Sequence, residues 1–288
     1  MTIDINNDTR SLAIITGACG GMGRVCAQLL GRDYQLALVD MNAEKLEHVA
    51  ALLRADGFSV PLTMVVDISK AAEVAALAER VKATAPFGAL VHTAGLSPAL
   101  AAWEPILRVN LVGTVLLLDA LLPLATTNSV AVCIASVAGH FAVPDTELNA
   151  ILDAPLAPDL LQRMEPLLQR AVVPGDVYGL ASPAYSFSKY AVLRLCEQRA
   201  KQWAERGARI VSLSPGMIAT PMGNKELSDN VLAAGMFDQV PNKRIGTPLD
   251  IANAVEFLCS PRARYINGCD LKVDYGVVAT IRHAANSG

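Results

Sequence analysis

Tyr185 and Lys189 stand four residues apart in the run Tyr-Ser-Phe-Ser-Lys. On a helix, side chains at this spacing share one face, so the lysine ammonium would lie beside the tyrosine phenol. The positive charge favours the phenolate and would lower the tyrosine pKa from its reference value of about 10. A tyrosine of this kind can exchange a proton with an alcohol or a ketone as a general acid and base. Surface helices also carry this spacing by chance, so its significance depends on the motifs that precede it.

A glycine-rich turn precedes this pair near the N-terminus, in the run Thr-Gly-Ala-Cys-Gly-Gly-Met-Gly of residues 16–23. It follows an apolar run typical of a strand and opens a helix that is predicted to extend to about Gly31. Gly17, Gly21 and Gly23 permit a tight turn and a close backbone approach. The amides at the start of the helix, together with its dipole, would bind a pyrophosphate. A turn that serves only helix packing is the alternative, but in this context we expect a nucleotide site.

Asp40 ends the second predicted strand, 17 residues after Gly23. This is close to the spacing at which an acidic side chain accepts hydrogen bonds from the ribose hydroxyls of an adenosine. The carboxylate would repel a 2′-phosphate, and the next residues, Met41 and Asn42, offer no arginine to bind one. The pattern therefore predicts NAD rather than NADP as the cofactor. A role for Asp40 as a cap of the following helix is compatible with this prediction.

Short apolar runs alternate with longer helical patterns along the chain, which is typical of a doubly wound α/β fold with a parallel sheet (Rossmann fold). Strands are predicted at Ser11–Ile15, Gln35–Val39, Leu62–Val66, Ala89–Val91, Val130–Ala135, Ile210–Leu213 and Leu271–Val273. Helices fill the gaps, for example Ala71–Thr84 and Pro183–Arg206. The sequence contains no repeat and no linker, so we expect residues 1–288 to form a single domain.

Residues 141–180 depart from this alternation, because they are rich in Leu and Pro. A helix is predicted to begin near Pro158, since proline is favoured in the first turn. We therefore expect a helical insertion between Ser136 and Tyr185. Its leucines would either cover the mouth of a substrate site or pack against another subunit. They are Leu148, Leu152, Leu156, Leu160, Leu161, Leu167 and Leu168.

Composition excludes several classes of protein. Apolar residues make up 52% of the chain and charged ones 18%, which indicates a globular rather than a disordered protein. The net charge of −3 argues against nucleic acid as the main partner. The first ten residues are polar and are not expected to be a signal peptide. The most apolar stretch, Leu111–Ala125, contains Asp119 and is expected to be too short to span a membrane.

Cysteine and histidine spacing gives no indication of a metal site or a disulfide framework. The six cysteines lack C-x-x-C spacing and are interpreted as reduced thiols of a cytoplasmic protein. Cys19 lies in the glycine turn, where a helix N-terminus can lower a thiol pKa. We favour a small side chain under the cofactor over a redox switch at this position. The four histidines do not cluster, so no metal is predicted, although His140 is a candidate for the edge of a substrate cleft.

In their order along nearly the whole chain, these motifs resemble the short-chain dehydrogenase/reductase family. The resemblance rests on the glycine turn, Asp67, Ala94-Gly95, Asn110, Ser136, Tyr185-x-x-x-Lys189 and Pro215-Gly216. It implies a catalytic tetrad of Asn110, Ser136, Tyr185 and Lys189. In such a tetrad the serine hydrogen-bonds the substrate oxygen and the tyrosine exchanges the proton. The lysine also holds the nicotinamide ribose, and the asparagine supports a water in a proton relay. A strand-end cap and a helix-bending polar residue are the alternatives for Ser136 and Asn110.

The resemblance also implies which residues bind the cofactor. They are Gly17, Cys19, Gly21, Met22, Gly23, Asp40, Asp67, Ile68, Ala94, Gly95, Tyr185, Lys189, Pro215, Gly216, Ile218 and Thr220. Two positions depart from the family pattern. Thr93 replaces an asparagine that supports the sheet, which questions local packing more than catalysis. The late Asp-Gly-Gly motif is Asp-Tyr-Gly at residues 274–276.

A substrate lid is implied at residues 217–245. Its apolar side chains favour an apolar substrate, unless they only pack the lid onto the body of the protein. They are Met222, Leu227, Val231, Leu232, Met236 and Phe237.

The short interval from Gly95 to Asn110 and the long one from Ser136 to Tyr185 resemble the bacterial 3α-hydroxysteroid dehydrogenase/carbonyl reductase branch. There the insertion is helical and alters the dimer contact. The resemblance implies an NAD-dependent enzyme for an apolar, steroid-like secondary alcohol or ketone, assembled as a homodimer or homotetramer. A carbonyl reductase or dihydrodiol dehydrogenase of xenobiotic breakdown is the alternative enzyme. A nucleotide-binding sensor without turnover is a more distant one, because the intact tetrad speaks against it.

Overall fold

The computed structural model describes residues 8–229, 235 and 238–287. Its strands are β1 (Leu12–Thr16), β2 (Gln35–Asp40), β3 (Leu62–Val65), β4 (Phe87–His92), β5 (Val130–Ile134), β6 (Arg209–Pro215) and β7 (Asp270–Val273). Within the described residues these seven strands form one parallel sheet in the spatial order β3-β2-β1-β4-β5-β6-β7. The order reverses between β1 and β4, where the loops at the carboxyl ends diverge and leave a crevice. The predicted doubly wound parallel sheet is confirmed.

Helices cover both faces of the sheet. They are α1 (Gly21–Leu30), α2 (Ala43–Ala55), α3 (Ala71–Thr84), α4 (Trp103–Leu107), α5 (Thr114–Leu121), α6 (Thr146–Leu152), α7 (Leu160–Ala171), α8 (Ala181–Ala204), α9 (Pro221–Asp229), α10 (Pro248–Cys259) and α11 (Val277–Ser287). On one face, α1, α2 and α10 pack against a core that contains Ala13 and Ile15. On the other face, α3, α5 and α8 pack against a core that contains Leu12 and Ile14. Because both faces are buried, the strands are continuous apolar runs rather than alternating patterns.

α4 and α5 belong to one helical run, Trp103–Leu124, whose middle is a π turn at Arg108–Gly113. The run has 22 residues and an apolar window of mean hydropathy 1.7, so by length and composition it could cross a bilayer. The shorter stretch considered from the sequence, Leu111–Ala125, is thus only part of a longer apolar helix. In the fold, 56% of that window is buried, and the run packs between α3 and α8. Its place as a core helix accounts for its apolar composition.

The insertion at residues 141–180 contains α6 and α7, so its predicted helical character is confirmed. The side chain of Asp145 caps α6 by accepting a hydrogen bond from the Leu148 amide at 2.7 Å. Most of the insertion's leucines are buried in a third core cluster with residues of α4, the π turn and α8. Leu156, which is 50% exposed, is an exception. The leucines therefore find their apolar partners within the chain, and their burial does not require a second subunit.

Near the start of the segment expected to form the lid, residues 217–245, Ile218 pairs with Gly246 in a single β-bridge. α9 follows at once, and Met222 and Leu227 are half-buried in it. Four other predicted lid residues lie outside the described residues: Val231, Leu232, Met236 and Phe237.

Candidate active site

A cavity of about 660 Å³ opens at the carboxyl ends of β4, β5 and β6. Ser136 follows β5, whereas Tyr185 and Lys189 lie one turn apart in the first half of α8. All three side chains line this cavity. The Lys189 ammonium lies 5.7 Å from the centre of the Tyr185 ring. The structure thus brings together three residues that the sequence places up to 53 positions apart.

The Ser136 hydroxyl has two roles available to it. Its oxygen accepts a hydrogen bond from the Ala138 amide at 3.1 Å and so caps a 3₁₀ turn at Val137–Phe141. This bond uses one lone pair of the oxygen and leaves the hydroxyl proton free to donate to a ligand in the cavity. The cap considered as an alternative for this serine is therefore present, and it fixes the hydroxyl at the cavity wall.

Lys189 is a buried cation, with only 7% of its surface exposed. Its ammonium donates a hydrogen bond to the Ile134 carbonyl at 2.9 Å. Burial lowers the pKa of Lys189 from 10.5 to about 8. At pH 7 the side chain is still mostly protonated, and an ammonium has three N–H donors. Lys189 therefore brings a positive charge to the floor of the cavity beside Tyr185.

Asn110 lies in the π turn and does not line the cavity. Its Oδ1 accepts from the Leu96 amide at 2.8 Å, and its Nδ2 donates to the Leu96 carbonyl at 2.9 Å. Nδ2 also donates to the Ser188 hydroxyl at 3.2 Å. The side chain thus ties the loop after β4 to α8. A Cβ at Gly95 would come within 3.2 Å of Asn110 Oδ1, so the small residue allows this close approach.

The glycine turn has the geometry expected of a phosphate site. Gly17 has φ of +68°, and a Cβ there would lie 2.8 Å from the Ala94 amide nitrogen. A Cβ at Gly23 would lie 2.3 Å from the Gly17 carbonyl oxygen, so a larger residue would displace the turn. Within the described residues, no side chain caps the N-terminus of α1. Its first amides are therefore available to a phosphate group.

Asp40 is fixed between this turn and the end of β2. One carboxylate oxygen accepts from the Cys19 amide at 2.9 Å, and the other from the Asn42 amide at 3.1 Å. Asn42, not Asp40, caps α2 through the Lys45 amide. Burial, together with the Asp40 carboxylate, raises the pKa of the Cys19 thiol to about 12. The thiol is therefore protonated at neutral pH, which favours the small-side-chain interpretation over a redox switch.

The other predicted cofactor residues surround the same crevice. Asp67 Oδ1 accepts from the amide and hydroxyl of Ser69, at 3.0 and 2.7 Å. Burial alone would raise the pKa of Asp67, but these bonds and the Lys70 charge outweigh it and lower the pKa. Ile68 is buried and would meet any side chain placed at Gly113. Six other predicted cofactor residues line the cavity: Met22, Gly95, Pro215, Gly216, Ile218 and Thr220. Ala94 packs against Gly17, and Gly21 faces Thr220.

Thr93 and His140 have roles that the sequence did not indicate. The Thr93 hydroxyl donates to the Thr16 carbonyl at 2.7 Å, so it supports the junction of β1 and β4 where the family asparagine is missing. His140 does not line the cavity. Its Nε2 lies 2.8 Å from Asp270 Oδ2 and 3.2 Å from the Ser214 hydroxyl, at the β6–β7 edge. In the described part of the chain, no group of three or more His, Cys, Asp or Glu is arranged to hold a metal ion.

The insertion contributes to the cavity wall, which the sequence indicated only by the position of its two ends. Leu148 and Leu167 are apolar members of this wall, and Asp145, Arg170 and Asp176 are charged ones. Arg170 forms an ion pair with Glu147 at 2.6 Å. Individual wall residues could not be identified from the sequence, because the packing of α6 and α7 decides which side chains face the cavity.

Comparisons with known proteins agree with this geometry. The profile described as short chain dehydrogenase matches residues 11–148, and the one described as enoyl-(acyl carrier protein) reductase matches residues 159–278. A short-chain dehydrogenase/reductase of Alternaria brassicicola is 31% identical over 97% of this chain and 100% of its own length. The 3-alpha-hydroxysteroid dehydrogenase/carbonyl reductase of Comamonas testosteroni is 29% identical over 94% of this chain and 98% of its own.

A solved structure also aligns over most of the chain. The 3-alpha-hydroxysteroid dehydrogenase from Pseudomonas sp. B-0831, complexed with NADH, has a TM-score of 0.73 and 26% identity, and the match covers 95% of this chain and 99% of that one. Both the family resemblance and the resemblance to the hydroxysteroid dehydrogenase branch are thereby confirmed. The chain belongs to the short-chain dehydrogenase/reductase family, oxidoreductases that interconvert alcohols and ketones with a nicotinamide cofactor.

Proposed function

We propose that the protein is an NAD-dependent dehydrogenase that interconverts an apolar secondary alcohol and its ketone. The observation that carries this proposal is the convergence of Ser136 and Tyr185 on one cavity, with the buried ammonium of Lys189 beside them. A hydroxyl donor, a proton-exchanging phenol and a fixed positive charge are the groups that polarise a carbonyl and protonate the resulting alkoxide. The nicotinamide, when bound, supplies or accepts the hydride.

Each residue of the tetrad has a role that follows from its contacts. Ser136 donates its free proton to the substrate oxygen, while one lone pair of its oxygen accepts from the Ala138 amide and holds the hydroxyl in place. Tyr185 transfers the proton at the same oxygen, and the Lys189 charge stabilises its phenolate. The Asn110 side chain is engaged by Leu96. We therefore infer that its backbone carbonyl supports the water of the proton relay that the family resemblance implies.

The residues around the crevice fit NAD. The unoccupied amides of α1 suit the pyrophosphate, and the Asp40 carboxylate is held by two backbone amides beside the turn. Each carboxylate oxygen retains a lone pair for a ribose hydroxyl. A 2′-phosphate at this place would meet the fixed negative charge, and Met41 next to it offers no cation. We therefore infer a preference for NAD over NADP.

The cavity supports an apolar substrate, because its walls include Leu96, Phe141, Leu148 and Leu167. A hydroxysteroid fits this lining, and so does the aromatic or cyclic ketone of a carbonyl reductase or dihydrodiol dehydrogenase that acts on xenobiotics. A cofactor-binding sensor without turnover is less well supported, since the catalytic side chains are assembled.

We further infer a single-domain, cytoplasmic protein that forms a homodimer or homotetramer, without nucleic acid or membrane as partner. The six cysteines, all within the described residues, are unpaired, as expected in a reducing compartment. Exposed apolar side chains of the insertion, such as Val177 at 63% exposure, support a subunit contact.

The test is a panel of steroids, cyclic ketones, aromatic diols and polyols, assayed with NAD and with NADP for wild type and Tyr185→Phe. The variant keeps the ring but loses the exchangeable proton, so turnover should fall at least ~100-fold while NAD affinity stays near wild type. Substantial turnover by the variant would contradict the assigned role. NAD binding without turnover of any substrate by the wild type would support the sensor instead.

A further inference from the structure

A chain of buried hydrogen bonds links the glycine turn to the backbone of Asn110. Thr16, the last residue of β1, bonds His92, the last residue of β4, at 2.7 Å between Oγ1 and Nδ1. His92 Nε2 lies 2.9 Å from the Thr114 hydroxyl. That hydroxyl lies 2.6 Å from the Asn110 carbonyl oxygen. All four residues are at most 3% exposed, and none of them lines the cavity.

The direction of each proton follows from the groups themselves. A carbonyl oxygen can only accept, so the Thr114 hydroxyl donates its single proton to Asn110. The Thr114 oxygen must then accept from His92 Nε2, which fixes the proton on that nitrogen. Burial, with a smaller contribution from the Lys189 charge, lowers the pKa of His92 to about 3. The ring is therefore neutral at pH 7, and its bare Nδ1 accepts from the Thr16 hydroxyl.

This series of hydrogen bonds ends at the backbone carbonyl of Asn110, which is not held by the contacts of the Asn110 side chain. The side chain is fixed by Leu96, whereas the carbonyl lies in the π turn Arg108–Gly113. In a π turn the backbone bonding is shifted by one residue, and such turns often occur at functional sites. A threonine hydroxyl that bonds the carbonyl four residues earlier also bends a helix. Thr114 thus sets the direction of the Asn110 carbonyl.

This series of hydrogen bonds starts at Thr16, the last residue of β1, directly before the glycine turn. Thr16 and His92 are register partners of the β1–β4 pairing, and Gly17 follows Thr16 directly. The chain therefore connects the segment predicted to bind the pyrophosphate with the residue predicted to support the proton relay. It carries no proton itself, because a neutral imidazole held between two fixed hydroxyls has no free position to accept one.

We propose that His92 and Thr114 are positioning residues of the active site, which hold the Asn110 carbonyl in a fixed place relative to the glycine turn. The inference rests on the proposed function, in which that carbonyl supports a water of the relay. It gives a role to a histidine that has no contact with the cavity. The consequence is kinetic: loss of these hydrogen bonds slows the proton-coupled step and leaves substrate and cofactor binding intact.

The decisive comparison is Thr114→Val against Thr114→Ser. Valine is nearly isosteric with threonine but cannot donate to Asn110, whereas serine keeps the hydroxyl. We expect kcat of Thr114→Val to fall about 10-fold, the effect of one buried hydrogen bond, with KM and the Kd for NAD within about 2-fold of wild type. Thr114→Ser should recover most of the loss. Wild-type kcat in Thr114→Val, or serine no better than valine, would overturn the proposal.

Thr84→Val is the matched control. The Thr84 hydroxyl also bonds the carbonyl four residues earlier, that of Arg80 at 2.7 Å, but it does so at the surface on α3. Its removal should leave kcat unchanged. A similar loss of kcat in Thr84→Val would mean that the effect at Thr114 is one of general helix stability.

A readout independent of turnover is the ¹⁵N spectrum of the His92 ring. We expect a proton on Nε2 only, unchanged between about pH 5 and pH 8, where an ordinary histidine titrates. A proton on Nδ1, or titration in that range, would overturn the inference even if the enzyme is fully active. The two failures are distinguishable: full turnover in Tyr185→Phe contradicts the proposed function, whereas wild-type kcat in Thr114→Val contradicts only the positioning role.

Discussion

Lys189 is a buried charge that should destabilise the folded protein, and Lys189→Met tests this directly. The lowering of its pKa from 10.5 to about 8 corresponds to about 3 kcal/mol against the folded ammonium at pH 7. Methionine has a similar length and no charge, so the substitution removes this penalty. It also leaves the Ile134 carbonyl without its donor, which costs about 1–2 kcal/mol. The variant should therefore be more stable than wild type by about 1–2 kcal/mol, while its turnover is lost.

The pH dependence identifies the source of this gain. Because the folded pKa lies below the unfolded one, the unfolded chain binds more protons between about pH 8 and pH 10.5. The buried charge of Lys189 therefore lowers the free energy of unfolding of the wild type fully below pH 8, and this penalty disappears as the pH rises from about 8 to 10.5. Methionine does not titrate. The advantage of Lys189→Met should accordingly be largest at pH 7 and should shrink towards pH 10.5.

Urea unfolding without cofactor at both pH values measures the difference, and other titrating groups contribute equally to both proteins. Lys201→Met is the control, because Lys201 lies on the same helix with its side chain 86% exposed. It should change stability by less than about 0.5 kcal/mol at either pH. Lys189→Met less stable than wild type at pH 7, or a gain that does not vary with pH, would refute the reasoning.

Three further predictions concern the cofactor and the assembly. The wild type should prefer NAD over NADP by ~10-fold or more, and Asp40→Ala should narrow this preference mainly through weaker NAD binding. Equal use of both cofactors by the wild type would contradict this. Cys19→Ser should keep turnover within about 2-fold of wild type and respond to oxidants as wild type does, because the Cys19 thiol is protonated. If an oxidant inactivated wild type but not Cys19→Ser, this prediction would be contradicted. Leu156→Lys combined with Val177→Lys should reduce the sedimenting mass while NAD affinity is unchanged. An unchanged oligomeric mass would exclude the insertion as the subunit contact.

The fold was largely predictable because its signals are local. Each of the seven apolar runs forms a strand within two residues of its predicted bounds, and Ala71–Thr84 is a helix as predicted. β6 extends beyond its predicted bounds, to Arg209 and Pro215, although Ser212 and Ser214 interrupt its apolar pattern. Their hydroxyls are buried because both donate to Asp270 on the neighbouring strand. A polar residue in a buried strand is recognised only once its partner is known.

The chemistry of the site was predictable where spacing or a strand end determines position. Spacing on a helix placed Tyr185 beside Lys189, and the end of a strand placed Ser136 and Asp40. His92 does not, because its partners lie 76 and 22 residues away in the sequence and neither is a metal ligand or an acid. The register of β1 with β4 brings Thr16 opposite His92. A predicted register could have indicated the first of these bonds, but the second depends on the π turn.

The insertion illustrates why composition alone could not separate a lid from an interface. An apolar side chain is stabilised by any apolar surface, whichever chain provides it. In α7, Leu160, Met164, Leu167 and Leu168 form one helical stripe, and all four are buried within the chain's own core. The apolar face of this helix is therefore already occupied. A subunit contact through the insertion must use the exposed residues of its connecting loops, such as Leu156 and Val177. We therefore predict that substrate cover and assembly depend on different residues of one segment and can be altered separately.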